Sequence, residues 1–224
     1  PYPFFKSRMK FLEKLESYLL NGEKKIIFLT GNPGEGKTSI VSSLANKRDS
    51  VIDLRFHAYK PITPEAPILP ADAGKTTTAR ALWGDLLSQL RTIFKGRLSE
   101  FEVPIFNDIL TTEELRSHVI RLSKINGKLK GKPTVIAIDG IDHAARAGID
   151  NETFLNTLIP PEEVPNEIKF LIVGQPPAGY RKYPIWLRDN RDDISVWTVT
   201  GIEDKDIYDL LKVSTNLDEN QLLP

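Results

Sequence analysis

A short apolar run, Lys25-Ile26-Ile27-Phe28-Leu29-Thr30, breaks into Gly31-Asn32-Pro33-Gly34-Glu35-Gly36-Lys37-Thr38, and Ser39 to Ala45 then continues as a helical stretch. The eight residues from Gly31 to Thr38 match G-x-x-x-x-G-K-[ST] in full, and the strand–turn–helix setting is the one in which that pattern holds phosphate. The glycines let backbone N–H groups close around phosphate oxygens, while the following helix points its positive end at the anion. Lys37 can reach terminal phosphates and the Thr38 hydroxyl can ligate Mg²⁺, so the binding set runs unbroken from Gly31 through Ser39. A chance match in a chain of this size is on the order of one per cent from average residue usage. A fortuitous glycine-rich turn is therefore set aside, and the chain is read as binding a nucleoside triphosphate, ATP or ADP with Mg²⁺.

Composition removes other classes. The 224 residues allow one large domain, or one domain plus the start of another. Lys+Arg and Asp+Glu both number 30, so no bulk charge argues for nucleic acid or an anionic membrane. A local basic patch would be hidden in that sum. Lys128, Lys130 and Lys132 form such a run, read as a solvated surface ahead of a nucleic-acid contact. Zero cysteines exclude disulfides, thiolate catalysis and Cys-ligated zinc, and fit a reducing cytosol, so a cytoplasmic location is expected. No apolar stretch approaches a membrane span, and no signal peptide is recognisable. The chain opens at Pro1 and stops at Pro224, just after a fresh helical pattern from Glu203 to Val213, so a segment of a longer protein is expected.

The order of elements predicts the fold. Met9, Leu12, Leu15, Tyr18 and Leu19 recur at helical spacing before Asn21-Gly22. After the phosphate loop, Val51 to Tyr59 alternates as a strand, and the prolines between Pro61 and Gly74 forbid regular structure. Thr78 to Phe94 and the stretch from Thr112 to Ile125 read as helices, Asn126 to Lys132 as a loop. Pro133 to Asp139 is a continuous apolar run, the mark of a strand buried on both faces. Phe154 to Leu158 reads as a short helix, Ile168 to Val173 as a fourth strand and Ile194 to Val199 as a fifth. Strands alternating with helices predict an α/β fold with a parallel sheet sandwiched by helices. Trp83 and Trp197 are expected to be buried, and His57, His118 and His143 are too scattered for a metal site.

A phosphate loop needs an acid to organise Mg²⁺ and often another to orient water. Asp139 ends the third strand, where ligands of open α/β sheets sit, and a carboxylate there is read as the Mg²⁺ partner rather than as a simple turn residue. Asp142 follows three residues on. It is either a water-orienting base or the N-cap of a helix through Arg146, with the catalytic reading preferred.

The run Val135-Ile136-Ala137-Ile138-Asp139-Gly140-Ile141-Asp142 resembles the extended acidic motif of STAND-class signalling NTPases, which include NACHT-type ATPases. Phe4-Phe5-Lys6-Ser7-Arg8 resembles the Phe-x-x-Arg segment that precedes the loop in these proteins, which implies that Arg8 lies near the adenine. The likeness spans Phe4 to about Val199, and three motifs fall in the family's order. It implies a P-loop NTPase of the ASCE type with strand order 5-1-4-3-2, a core over residues 1–201 including an N-terminal helix in 1–22, and a truncated helical lid over 202–224. It further implies a switch whose hydrolysis is coupled to self-association, with other domains of the parent chain as partners, in innate immunity or antiphage defence. Two positions depart from the pattern. His143 stands where a second acid is common, and Gly174-Gln175-Pro176-Pro177 replaces the usual Thr-Ser-Arg. Gln175 is thus either the γ-phosphate sensor or a turn residue, with Arg181 as the cationic substitute. Arg146, Arg188 and Arg191 are surface arginines that a neighbouring subunit's site can use, although a solvated surface is the preferred reading for each. The competing class is an AAA+-like motor or loader acting on nucleic acid or protein.

Overall fold

The computed structural model describes residues 8–47, 49–58, 75–105, 109–147, 153–189 and 192–201. Phe4 to Ser7, the proline-rich stretch Pro61–Gly74, Tyr59, Arg191 and everything from Ile202 onward, including the expected lid, lie outside the described residues.

Five strands form one parallel sheet: β1 (Ile26–Thr30), β2 (Leu54–His57), β3 (Thr134–Asp139), β4 (Ile168–Gly174) and β5 (Ser195–Thr198), in the order β2-β3-β4-β1-β5. That is the order 5-1-4-3-2 expected from the resemblance, read from the other edge. The three central strands are buried along their whole length, as continuous apolar runs require when helices cover both faces.

The alternation of β1 divides the core. Ile26 and Phe28 pack with Trp83, Leu86 and Leu90 of α3 (Ala79–Ile93) and with Leu122 of α4 (Thr112–Lys130). Ile27 and Leu29 turn to the other face, toward Leu12, Leu15 and Leu19 of α1 (Met9–Asn21) and Ile40, Val41 and Leu44 of α2 (Lys37–Ala45). Trp83 is fully buried and its indole N–H donates to Thr157 Oγ1 at 2.8 Å. Trp197 is only half-buried, on an edge strand, its ring 5.6 Å from both Phe11 and Tyr18 of α1. Lys169, buried on β4, donates to the Tyr18 and Gly22 carbonyls at 3.1 and 2.6 Å and so closes the C-terminus of α1.

Two of the expected elements are corrected. Asn126 to Lys132 is not a loop, because α4 runs on to Lys130 before the C-cap at Gly131. Asn126 and Gly127 are buried, and a Cβ on Gly127 would lie 2.5 Å from the Glu167 carbonyl oxygen. Gly127 serves close packing of helix against chain rather than a break. Val51 to Tyr59 shortens to Leu54–His57, because Asp53 supplies pairing with its side chain, its Oδ2 accepting from the Val135 N–H at 2.9 Å. The short helix expected from Phe154 to Leu158 is present as a 3₁₀ helix, Phe154–Thr157. Of the basic run, Lys130 pairs with Asp53 and Lys128 lies 3.6 Å from Glu167. No helix of the described residues is long and apolar enough to cross a membrane.

Candidate functional site

The carboxyl ends of β1, β2, β3 and β4 open on a cleft of about 570 Å³, within the range that holds small-molecule ligands. Pro33, Gly34, Lys37 and Thr38 form one wall. The chain leaves β1 and turns into α2 through Gly36, at φ 82° and ψ 24°, a left-handed conformation that a side chain would strain. Lys37 and Thr38 therefore open α2, and the Lys37 ammonium folds back to donate to the Gly31 and Asn32 carbonyls at 2.7 and 2.8 Å. Burial lowers the Lys37 pKa, while Asp142, Glu35 and Asp139 act in the opposite direction. Glu35 braces the loop through its carboxylate, which accepts from the Asn32 backbone N–H and from its side-chain amide at 3.1 Å. Ser39 is exposed on α2. Arg8 donates to the Glu35 carbonyl and, at 2.8 Å, to the Thr200 carbonyl, so it ties the loop backbone to the chain after β5.

The second wall is acidic. Asp139 ends β3 with its side chain 8% exposed, and the sheet register sets it beside His57 at the end of β2. His57 Nδ1 lies 3.2 Å from Asp139 Oδ2. Asp142 sits in the first turn of α5 (Ile141–Arg146) with its side chain 6% exposed. The N-cap of α5 is Gly140, so the alternative reading of Asp142 as that cap is overturned. Asp142 Oδ2 instead accepts from the Arg146 guanidinium and from Gln175 Nε2 at 3.1 Å, with His143 Nε2 at 3.8 Å.

Gln175 follows β4 and lines the cleft, whereas Arg181 is exposed and outside its lining. The Tyr180 hydroxyl donates to Gln175 Oε1 at 2.8 Å and that of Tyr183 to the Gln175 carbonyl at 3.3 Å. Burial first, then Asp142 and Tyr180, push the Tyr183 phenol well above its ordinary value. Arg146, read from sequence as a solvated surface arginine ahead of a group for another subunit, lines the cleft of its own chain. Arg188 is half-buried, its Nε enclosed without a hydrogen-bond partner.

The site thus gathers Lys37, Thr38, Asp139, Asp142 and Gln175 with Pro33 and Gly34. Gly31, Asn32, Glu35, Gly36 and Ser39 complete the loop and the first turn of its helix, and Arg8 holds the loop from behind Gly36, where a Cβ would meet Arg8 Nη1 at 3.0 Å. Sequence reasoning did not place His57 or Tyr180 in the site, and it named His143 only as a departure from the acidic pattern and Arg146 only as a surface arginine. His57 was signalled by the implied topology, since β2 beside β3 puts their last residues side by side. Arg146 was signalled by its spacing of four from Asp142 on a helix.

The residues fit a Mg²⁺–nucleotide. Nothing lies within 4 Å of where a Cβ on Gly34 would stand, which leaves room over the loop for phosphate. Thr38 and Asp139 offer hard oxygen donors to one cleft, the chemistry Mg²⁺ takes alongside phosphates. A family model for the AAA domain matches residues 20–181, a span that holds the loop, Asp139, Asp142 and Gln175. The chain belongs to the AAA domain family. No curated protein matches it. As an AAA domain it has a nucleotide-binding ATPase core of the P-loop type, and P-loop domains of this kind typically take their nucleotide with Mg²⁺.

Proposed function

We propose that this AAA domain is the ATP–Mg²⁺ switch module of a STAND-type signalling NTPase of the NACHT kind, with slow hydrolysis coupled to oligomerisation. The observation that carries the reading is the turn Asp139-Gly140-Ile141-Asp142, which brings two carboxylates into the cleft of the phosphate loop and resembles the acidic motif of that class. Thr38 and Asp139 would hold Mg²⁺, which when bound neutralises charge on the β- and γ-phosphates. Lys37 draws the terminal phosphate to the loop. Asp142 takes a proton from water as the water oxygen bonds to the γ-phosphorus and the bridging bond breaks, its electron pair leaving with ADP.

Slow turnover has a physical support here. The Arg146 guanidinium occupies Asp142 Oδ2, so the base is engaged until a triphosphate competes for that guanidinium. A γ-phosphate that biases a core-and-lid arrangement is a two-state switch rather than a motor. Self-association, an arginine from a neighbouring subunit, contacts with further domains of a longer parent chain, a cytoplasmic setting and a role in innate immunity or antiphage defence all belong to this reading and rest on the resemblance.

The second reading, an AAA-type motor or loader acting on nucleic acid or protein, is equally compatible with the family match. Steady-state ATPase measured with and without DNA separates the two. Slow turnover that DNA leaves unchanged, with nucleotide staying bound, supports the switch. Brisk turnover stimulated by DNA overturns it.

A further inference from the structure

Both ends of the Gln175 amide are committed. Nε2 donates to Asp142 Oδ2 at 3.1 Å, and Oε1 accepts from the Tyr180 hydroxyl at 2.8 Å. A reversed amide would set Oε1 against a carboxylate oxygen, acceptor facing acceptor, so the chain of bonds runs in one sense from Tyr180 to Asp142. Tyr180 is itself fixed. Its ring stacks on Tyr183 at 5.0 Å and 11°, and the buried Tyr183 meets Phe28 of β1 edge-on at 6.4 Å and 87°. The ring of Tyr180 therefore packs, and its hydroxyl is left to do something separate.

We propose that Tyr180 is a positioning residue for hydrolysis: its hydroxyl locks the Gln175 amide so that Nε2 stays on Asp142 and holds that carboxylate in one orientation. The proposal rests on Asp142 being the base. It assigns Gln175 a defined task at the end of β4, as the link between the base and the turn at residues 177–183. It also separates the two functions of Tyr180, because Tyr180→Phe keeps the stack on Tyr183 and removes only the donor.

Two measurements on the full chain test it. In nucleotide-free protein, the side-chain amide resonances of Gln175, followed by ¹⁵N–¹H NMR, are expected to move in Tyr180→Phe and in Asp142→Ala. In single-turnover hydrolysis of ATP·Mg²⁺, Tyr180→Phe should slow the rate about five- to tenfold, the worth of one hydrogen bond, and leave nucleotide affinity within about twofold. Placed in a Gln175→Ala background, Tyr180→Phe should add nothing, because the residue acts through Gln175. Unmoved amide signals, an unchanged rate, or the same fold-loss in both backgrounds would overturn the role of Tyr180. An Asp142→Ala chain that hydrolyses at the original rate, or an original chain with no hydrolysis, instead overturns the base reading and the proposal with it.

Discussion

The turn after β1 and the turn after β3 share one local geometry: each closes on a left-handed glycine that opens a helix, Gly36 at φ 82° and Gly140 at φ 83°. They are held in opposite ways. The phosphate loop is braced from within, Lys37 on the Gly31 and Asn32 carbonyls and Glu35 on Asn32, with Arg8 as the one outside clasp among the bonds described here. The acidic turn is braced from without, Asp139 by His57 of β2 and Asp142 by Gln175 beyond β4 as well as by Arg146 of its own helix. A self-braced loop keeps its shape whatever its neighbours do, which suits a part that captures a ligand. A turn braced by two other pieces of chain changes with them, which suits a part that must respond. On the proposed reading, binding is thus local in the sequence, and turnover is distributed over the fold.

The largest effects test that division directly. Lys37→Ala removes a charge-assisted contact to phosphate, and nucleotide affinity should fall on the order of 100-fold by calorimetric or fluorescence titration. Asp142→Ala should leave affinity within about threefold and lower turnover about 100-fold, the scale of a lost general base. Equal loss of binding in both variants would break the comparison, because the acidic turn would then be part of the capture machinery.

A smaller effect sharpens it. His57 bonds to Asp139 at the side of the cleft, and removing a group that orients a metal-binding carboxylate typically costs about tenfold or more in metal affinity. His57→Ala should raise the Mg²⁺ concentration needed for half-maximal hydrolysis about tenfold, while nucleotide binding measured in a chelator stays the same. An unchanged Mg²⁺ requirement would mean that Asp139 needs no support from β2.

What could be read in advance follows the same line. The loop is eight contiguous residues in a strand–helix setting, so Gly31 to Thr38 needed no third dimension. Asp139 was visible because a carboxylate ending a buried run has few other uses. Asp142 was visible only as a pair of alternatives, of which the position of the cap, Gly140, removes one and leaves the catalytic role as the proposal. His57 and Tyr180 were not singled out because nothing local marks them: one depends on sheet register and the other on where the chain goes after Pro176-Pro177. The fold shows the same split. Apolar runs, and alternation for β2, announced all five strands, but Asn126 to Lys132 was misread because lysine and glycine usually mean a loop, whereas here Glu167 needs the space that Gly127 leaves.

The smallest predicted effect is a pH dependence that the acidic turn should carry. Burial holds the His143 pKa below its ordinary 6.5; Asp142 opposes this, Arg146 adds to it and Asp139 opposes it. Between the lowered folded value and 6.5 the unfolded chain binds more protons than the folded one, so unfolding free energy rises with pH in that window. Stability conferred by the neutral ring is complete above 6.5 and is lost as pH falls toward the folded value. His118 on α4 is lowered by burial and by Arg121 against Glu114, and it adds a slope of the same sign. Urea denaturation from about pH 7.5 to about pH 5.5 should therefore show falling stability, flattened in part by either His143→Gln or His118→Gln. Of these two histidines only His143 lines the cleft, so of the two variants only His143→Gln should also change how nucleotide affinity varies over that range. If His118→Gln changed nucleotide affinity equally, the pH sensitivity would belong to the fold at large and not to the acidic turn.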